Sequence, residues 1–278
     1  TRNPSLAMRG VQTFLTVTDA LSCLPETTLF IIATPPAIHY EQVKEVIEAG
    51  RDVFVEKPAF LSFKDAAALS KLARERGVIL VEMLMYLENH SVQQIIEELK
   101  RESGSVKKID CQFLIPSVPG GTFRTEESFG NSLLSDIVCY PLSLLAIAGY
   151  DLSNLILVTG NDPLRETPIF SFEGKSKQTT IYIQVGQYDQ YINNLKLEFE
   201  DGHKISYEPF FYGREGHRTL IRSTKAGELS EQIFECNAYE LMFLRKRQEW
   251  IATQESRFDA LGLVSKSLER LGRQAGLL

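Results

Sequence analysis

Residues 29–101 alternate apolar runs of strand length with amphipathic runs of helix length, and no other feature of the 278 residues constrains the fold as much. Residues 29–33 and the Val53-Phe54-Val55 centre of 52–56 are continuously apolar, the pattern of strands covered on both faces. Between them, 38–49 sets Val43, Val46 and Ile47 on one helical stripe and stops at Gly50. Ser62 caps a second helix that runs to Arg76. Its buried face is Phe63, Ala66, Ala67, Leu69, Leu72 and Ala73, and Gly77 is its stop. A strand over 78–86 and a helix over 91–101 repeat the pattern. Such alternation predicts a parallel, doubly wound sheet.

Two of these strands end at proline, in Thr34-Pro35-Pro36 and in Glu56-Lys57-Pro58. Open α/β sheets bind ligands at the carboxyl ends of their strands, so Lys57 stands where chemistry is expected. Pro58 sets the backbone direction after it. Lys57 reads either as a structural salt-bridge partner or as a group that handles a proton or stabilises an alkoxide. In the second role, burial beside a cationic cofactor would lower its pKa.

After Gly104 the texture changes. Residues 108–115, 155–159, 168–172, 179–187, 194–200 and 203–207 are β-rich, with turn signals at Glu173-Gly174 and Asp201-Gly202. One helix over 132–148 interrupts them, and helices return from Ala238. This predicts an α+β domain over 104–278, on a mostly antiparallel sheet, behind an α/β domain over 1–103.

A composition of 44% apolar and 24% charged residues is that of a soluble globular chain. The net charge of −6 gives no reason to expect nucleic acid or a membrane surface as partner. No apolar run approaches the ~18 residues of a membrane helix. Cys23, Cys111, Cys139 and Cys236 form no C-x-x-C pair and read as reduced thiols of a cytoplasmic protein. No zinc-ligand spacing, P-loop or serine nucleophile elbow occurs, and no metal is expected.

Ala33-Thr34-Pro35, with His39 four residues beyond the proline, and Glu56-Lys57-Pro58 resemble the Gfo/Idh/MocA family of NAD(P)-dependent oxidoreductases. So does Phe123-Arg124 followed by Gly130-Asn131-Ser132-Leu133-Leu134-Ser135-Asp136-Ile137-Val138-Cys139-Tyr140-Pro141, which is similar to the family's F-R … G-G-G-x-L-x-D-x-G-x-H/Y helix. The Tyr-Pro form looks like the dihydrodiol dehydrogenase and glucose-fructose oxidoreductase branch. The resemblance implies an incomplete Rossmann-like dinucleotide-binding domain over 1–103 and a substrate-binding and oligomerisation domain over 104–278. It also implies hydride transfer between NADP or NAD and a secondary alcohol or ketone of a sugar, sugar derivative or cyclic polyol. Lys57, Asp136 and Tyr140 map onto a catalytic trio, the last two on one helical face.

By the same resemblance Thr34, Pro35, His39, Glu56 and Lys57 face the cofactor, and Tyr86, Arg124 and Tyr140 the substrate. Bland readings stand beside these. His39 is otherwise a surface residue at a helix start, Glu56 a solvated strand-end carboxylate, Asp136 a helix-surface acid, and Tyr86 and Tyr140 core aromatics. Asn131 and Ser132 depart from the triple glycine. Val138 replaces a glycine and is bulky enough to crowd nicotinamide or substrate. The alternative function is therefore a catalytically inactive relative acting as a binding or scaffold protein.

A dinucleotide fold needs a G-x-G-x-x-G turn for the pyrophosphate, and none occurs in these residues. Relative to the family, an opening βαβ portion of about 30 residues is missing. Either the chain is a piece of a longer one, its front is supplied separately, or it has lost cofactor binding. The lack of an initiator Met favours the first. Arg2, where the family's second strand ends, would receive a 2′-phosphate and lean the cofactor toward NADP, or else is a solvated surface residue. The stretch 210–218, with its aromatics, Arg214, Arg218 and His217, suits a phosphorylated or nucleotide-linked sugar, a rim loop or a subunit contact. A large apolar face on the second sheet would need covering, which predicts a homo-oligomer, dimer or tetramer.

Overall fold

The computed structural model describes residues 11–102, 104–117, 132–159, 168–212, 216–236 and 238–277. The first sheet has three parallel strands, β1 (Phe30–Ile32), β2 (Val53–Glu56) and β3 (Leu80–Met83), in that order. The helices of this half are α1 (Val17–Cys23), α2 (His39–Glu48), α3 (Phe63–Arg76) and α4 (His90–Arg101). The predicted caps of α3 are in place: Ser62 Oγ accepts the Asp65 N–H, and Gly77 closes the helix at φ +64°. Its buried stripe is narrower than expected. Ala66, Leu69 and Ala73 are buried, while Phe63 and Ala67 face solvent. Among the described residues β1 ends the sheet, and alternation turns Ile31 away from the layer of α2 and α3, so it is exposed rather than doubly covered.

The second sheet has eight strands: β4 (Val106–Ile115), β5 (Ile156–Thr159), β6 (Ile169–Ser176), β7 (Thr179–Gln187), β8 (Ile192–Phe199), β9 (Lys204–Glu208), β10 (His217–Lys225) and β11 (Glu228–Cys236). Their order is β11-β10-β9-β8-β4-β7-β6-β5, antiparallel throughout except for the parallel pair β4 and β7. Inward residues such as Ile109, Cys111, Ile183, Leu195 and Leu197 form the main core with α5 (Leu133–Ile147).

Three expectations are corrected here. The hairpin of β10 and β11 was not foreseen, because both of its faces are largely exposed and no core pattern marks it; the signal was the turn at Ala226-Gly227, both at positive φ. Glu173-Gly174 is not a turn but part of β6. The missing Cβ of Gly174 admits the backbone of Asn154 and Leu155, which a side chain would meet at 2.9–3.0 Å. The outer face of the sheet is polar at its centre rather than apolar: Gln112, Gln184 and Asn194 are linked by side-chain hydrogen bonds, with Lys108, Asp110 and Lys196 around them, and the exposed apolar residues Ile156, Leu229 and Ile233 stand on the end strands β5 and β11. The continuous apolar face expected there is therefore interrupted by polar residues at its centre.

The chain then returns to its first half. α6 (Ala238–Leu244) and α7 (Arg247–Gln274) follow β11, and Trp250, Phe258 and Leu261 of α7 enter the cores around β1–β3. Arg245 and Arg257 both pair with buried Glu88 and flank the ring of Trp250 at 4.3 and 4.5 Å, which locks the start of α7 to the turn after β3. Residues 104–278 are thus not confined to the second sheet. α7 also packs on α5, so one helix braces both halves.

Candidate active site

β2 is the central strand of the first sheet, and its carboxyl end delivers Lys57 toward the start of α5. Ser132 caps that helix in a reciprocal box with Ser135, which sets where its first turn begins. Asp136 lies in that turn, and its carboxylate Oδ1 accepts from Lys57 Nζ at 2.6 Å. The same ammonium donates to the Asp136 main-chain carbonyl at 2.8 Å. One turn further along, the Tyr140 ring lies with its centroid 5.0 Å from Lys57 Nζ. The three expected catalytic side chains therefore meet at one point, contributed by both halves of the chain.

The electrostatics of Lys57 differ from expectation. Burial by itself would lower its pKa, but the attraction of Tyr140, Cys139 and Asp136 and the hydrogen bond to Asp136 outweigh this and raise it. Burial pushes the Cys139 thiol up, so that thiol is neutral near pH 7, and Asp136 is the partner that hydrogen-bonds the ammonium. Lys57 is a permanent ammonium in this arrangement, not a group that titrates near neutrality. Val138 is fully buried in the core.

Tyr140 is half-buried in an aromatic box, 5.1 Å from Phe113, 5.6 Å from Tyr86 and 6.3 Å from Phe211 between ring centroids. Tyr86 is completely buried and does not line a substrate surface. Its hydroxyl donates to the Tyr140 carbonyl at 2.8 Å and lies 2.9 Å from Ser143 Oγ, so it supports α5 from beneath. Phe210 and Phe211 are likewise core, their N–H groups held by Asn193 Oδ1, and Arg218 hydrogen-bonds Glu235 across the β10–β11 hairpin. Arg2, Arg124 and Arg214 lie outside the described residues.

Thr34 and Pro35 are partly exposed at the end of β1, with Thr34 Oγ1 donating to Gln42. Partly exposed Glu56 accepts the Lys57 N–H. His39 is corrected: it is fully buried, with Nε2 2.7 Å from the Thr34 carbonyl and Nδ1 3.1 Å from the Ala59 carbonyl. It ties the ends of β1 and β2 together and does not offer a nitrogen to a ligand. Sequence reasoning missed Glu82, whose Oε1 accepts the Ala59 N–H at 2.8 Å. Its signal was a lone charge inside the apolar run 78–86.

Comparisons with known proteins bear on the family and the fold. Residues 7–83 match the model of the Gfo/Idh/MocA oxidoreductase family, NAD-binding Rossmann fold. A dTDP-3,4-didehydro-2,6-dideoxy-alpha-D-glucose 3-reductase of Streptomyces violaceoruber is 30% identical over 221 residues, 77% of this chain and 64% of that protein. The Actinomadura kijaniata enzyme of the same name is 26% identical over 175 residues, 62% of this chain and 53% of its own length. The chain thus spans less than two thirds of these curated relatives. Among solved structures, a 3-ketoreductase from Actinomadura kijaniata in complex with NADP and TDP-benzene aligns with TM-score 0.69 at 19% identity, over 91% of this chain and 80% of that one. An aldose-aldose oxidoreductase from Caulobacter crescentus complexed with glycerol aligns with TM-score 0.75 at 17% identity, over 94% and 80%. These two likenesses concern the fold.

Proposed function

We infer that this chain is an oxidoreductase of the Gfo/Idh/MocA family that uses NADP or NAD on a secondary alcohol or ketone of a sugar-like substrate. The observation that carries the reading is the meeting of Lys57, Asp136 and Tyr140 at the carboxyl end of β2. The names of the relatives make a nucleotide-linked keto sugar the first substrate class to try, ahead of free sugars and cyclic polyols. We further read the protein as a cytoplasmic homo-oligomer.

The residues at the strand ends fit the nicotinamide half of a dinucleotide. Thr34, Pro35 and Glu56 present polar and backbone groups at the rim, beside Lys57. When bound, that cofactor supplies or accepts hydride. The chain's own groups handle the proton and the charge. Tyr140 gives a proton to the carbonyl oxygen in reduction and takes it back in oxidation. Lys57 keeps its positive charge beside that oxygen, which stabilises developing negative charge. Asp136 holds the ammonium in place by its carboxylate and carbonyl oxygens. The box of Phe113, Tyr86 and Phe211 restricts the Tyr140 ring and limits water on that side.

The test is NADPH oxidation by full-length protein offered a panel of keto sugars, with and without a nucleoside diphosphate. Turnover confined to the nucleotide-linked members is expected. No turnover with any member, at saturating NADPH or NADH, would overturn the reading.

A further inference from the structure

Lys57 is aimed not only by its own ion pair but by the backbone that follows it. Each step of that backbone is tied to a different element. The Lys57 N–H donates to Glu56, the Ala59 N–H to Glu82 of β3, the Ala59 carbonyl meets His39 of α2, and the Phe60 carbonyl accepts from Ser265 of α7. Glu56 is the neighbouring residue, and His39 and Ser265 meet main-chain carbonyls. The fourth, Glu82, is a carboxylate reaching across from the adjacent strand, where it is paired in register with Val55.

We propose that Glu82 is a positioning residue for Lys57. By accepting the Ala59 N–H it fixes the turn that presents the ammonium to Asp136 and Tyr140. The inference rests on the role assigned to Lys57 above. A hydrogen bond to a charged acceptor is about twice as strong as a neutral one, so the hold is firmest when Glu82 is ionised. Burial raises the pKa of Glu82 to about 7, with the Ala59 N–H and Lys57 pulling it down and Glu56 pushing it up. Other groups face it too: the neutral Cys139 thiol of α5 feels its charge, and Ser143 of α5 and Arg257 of α7 line the same small cavity. Glu82 therefore changes charge near neutral pH, and the turn tightens as pH rises through that range.

The test compares Glu82→Gln, which keeps an acceptor but cannot titrate, with Glu82→Ala, which removes the acceptor. Amide hydrogen exchange over residues 57–60, measured without cofactor or substrate, should rise by roughly tenfold in Glu82→Ala, the upper end of one buried hydrogen bond's net contribution. Below the titration of Glu82, where the parent also offers a neutral acceptor, Glu82→Gln should stay within about twofold of the parent. The Ala59 amide proton shift should titrate near neutral pH in the parent and lose that step in Glu82→Gln. In turnover, kcat of the parent should rise through the same pH range, and kcat of Glu82→Gln should not show the step. If Glu82→Ala does not fold, Glu82→Asp, with a carboxylate retracted by one methylene, carries the same expectation. Unchanged exchange in both shortened variants, or Glu82→Gln behaving as Glu82→Ala, would overturn the proposal. Because exchange is read without turnover, an enzyme inactive on every keto sugar would sink the functional reading and leave this result standing.

Discussion

Replacing Asp136 by alanine removes the carboxylate 2.6 Å from Lys57 Nζ and leaves the main-chain carbonyl at 2.8 Å. The two side chains are 11% and 3% exposed, so this is a buried ion pair. Breaking such a pair from one side costs about 3–5 kcal/mol, because the surviving charge stays behind in a poor solvent. The remaining carbonyl and the nearby Tyr140 ring place Asp136→Ala at the low end, about 3 kcal/mol. Asp136→Asn keeps an acceptor oxygen without the charge and should cost about half as much. The double variant Lys57→Met/Asp136→Leu should be more stable than Asp136→Ala, since no orphan charge remains. Urea unfolding with a constant m-value measures all three. Because the folded pKa of Lys57 lies above its ordinary 10.5, the contribution is complete below that value and is lost only as pH rises through the folded pKa. The difference between parent and Asp136→Ala should thus be flat between about pH 6 and pH 9. A cost below about 1 kcal/mol, the worth of an exposed pair, would refute the reasoning. So would a double variant less stable than the single one.

Tyr86→Phe should cost about 1 kcal/mol in urea unfolding, since Ser143 Oγ still donates to the Tyr140 carbonyl and no buried acceptor is orphaned. A cost of several times that would mean the hydroxyl network is more cooperative than its pairwise contacts. Glu88→Ala leaves two guanidinium groups, each 17% exposed, without their shared carboxylate and should cost about 3–5 kcal/mol. Trp250 is the single tryptophan and lies between those two arginines, so a changed fluorescence maximum is expected in the folded variant, and an unchanged one argues against the cluster.

Much of the fold was readable from local pattern. The helix α3 shows its cap, stripe and stop directly in Ser62, Leu69 and Gly77, and the strand ends show in their prolines. The meeting of Lys57 with Asp136 was readable only through the family resemblance, because 79 residues separate them and no periodicity spans that distance. What stayed hidden was set by tertiary surroundings. The return of α7 to the first sheet depends on Phe258 and Leu261 finding a second core, which an amphipathic pattern cannot specify. His39 and Tyr86 were assigned to surfaces because their residue types carry chemistry, yet both spend their polar atoms on backbone or hydroxyl partners inside the protein. The pKa of Lys57 moved opposite to the sequence expectation for a physical reason: burial was foreseen, and the compensating carboxylate at 2.6 Å was not weighed against it.

The central claim is a division of labour, with Tyr140 passing the proton and Lys57 holding a fixed charge beside the oxygen. The direct measurement is kcat of full-length Tyr140→Phe and Lys57→Met in NADPH-dependent reduction of a nucleotide-linked keto sugar, across the pH range where the parent folds. Tyr140→Phe should lose roughly 10²–10⁴-fold, the usual worth of acid–base assistance, and Lys57→Met roughly 10²–10³-fold, the worth of one charge-stabilising donor, with the fold retained. The parent profile should carry no step assignable to Lys57 below its ordinary pKa of 10.5. Tyr140→Phe retaining activity within about threefold of the parent, far less than that assistance supplies, would contradict the account.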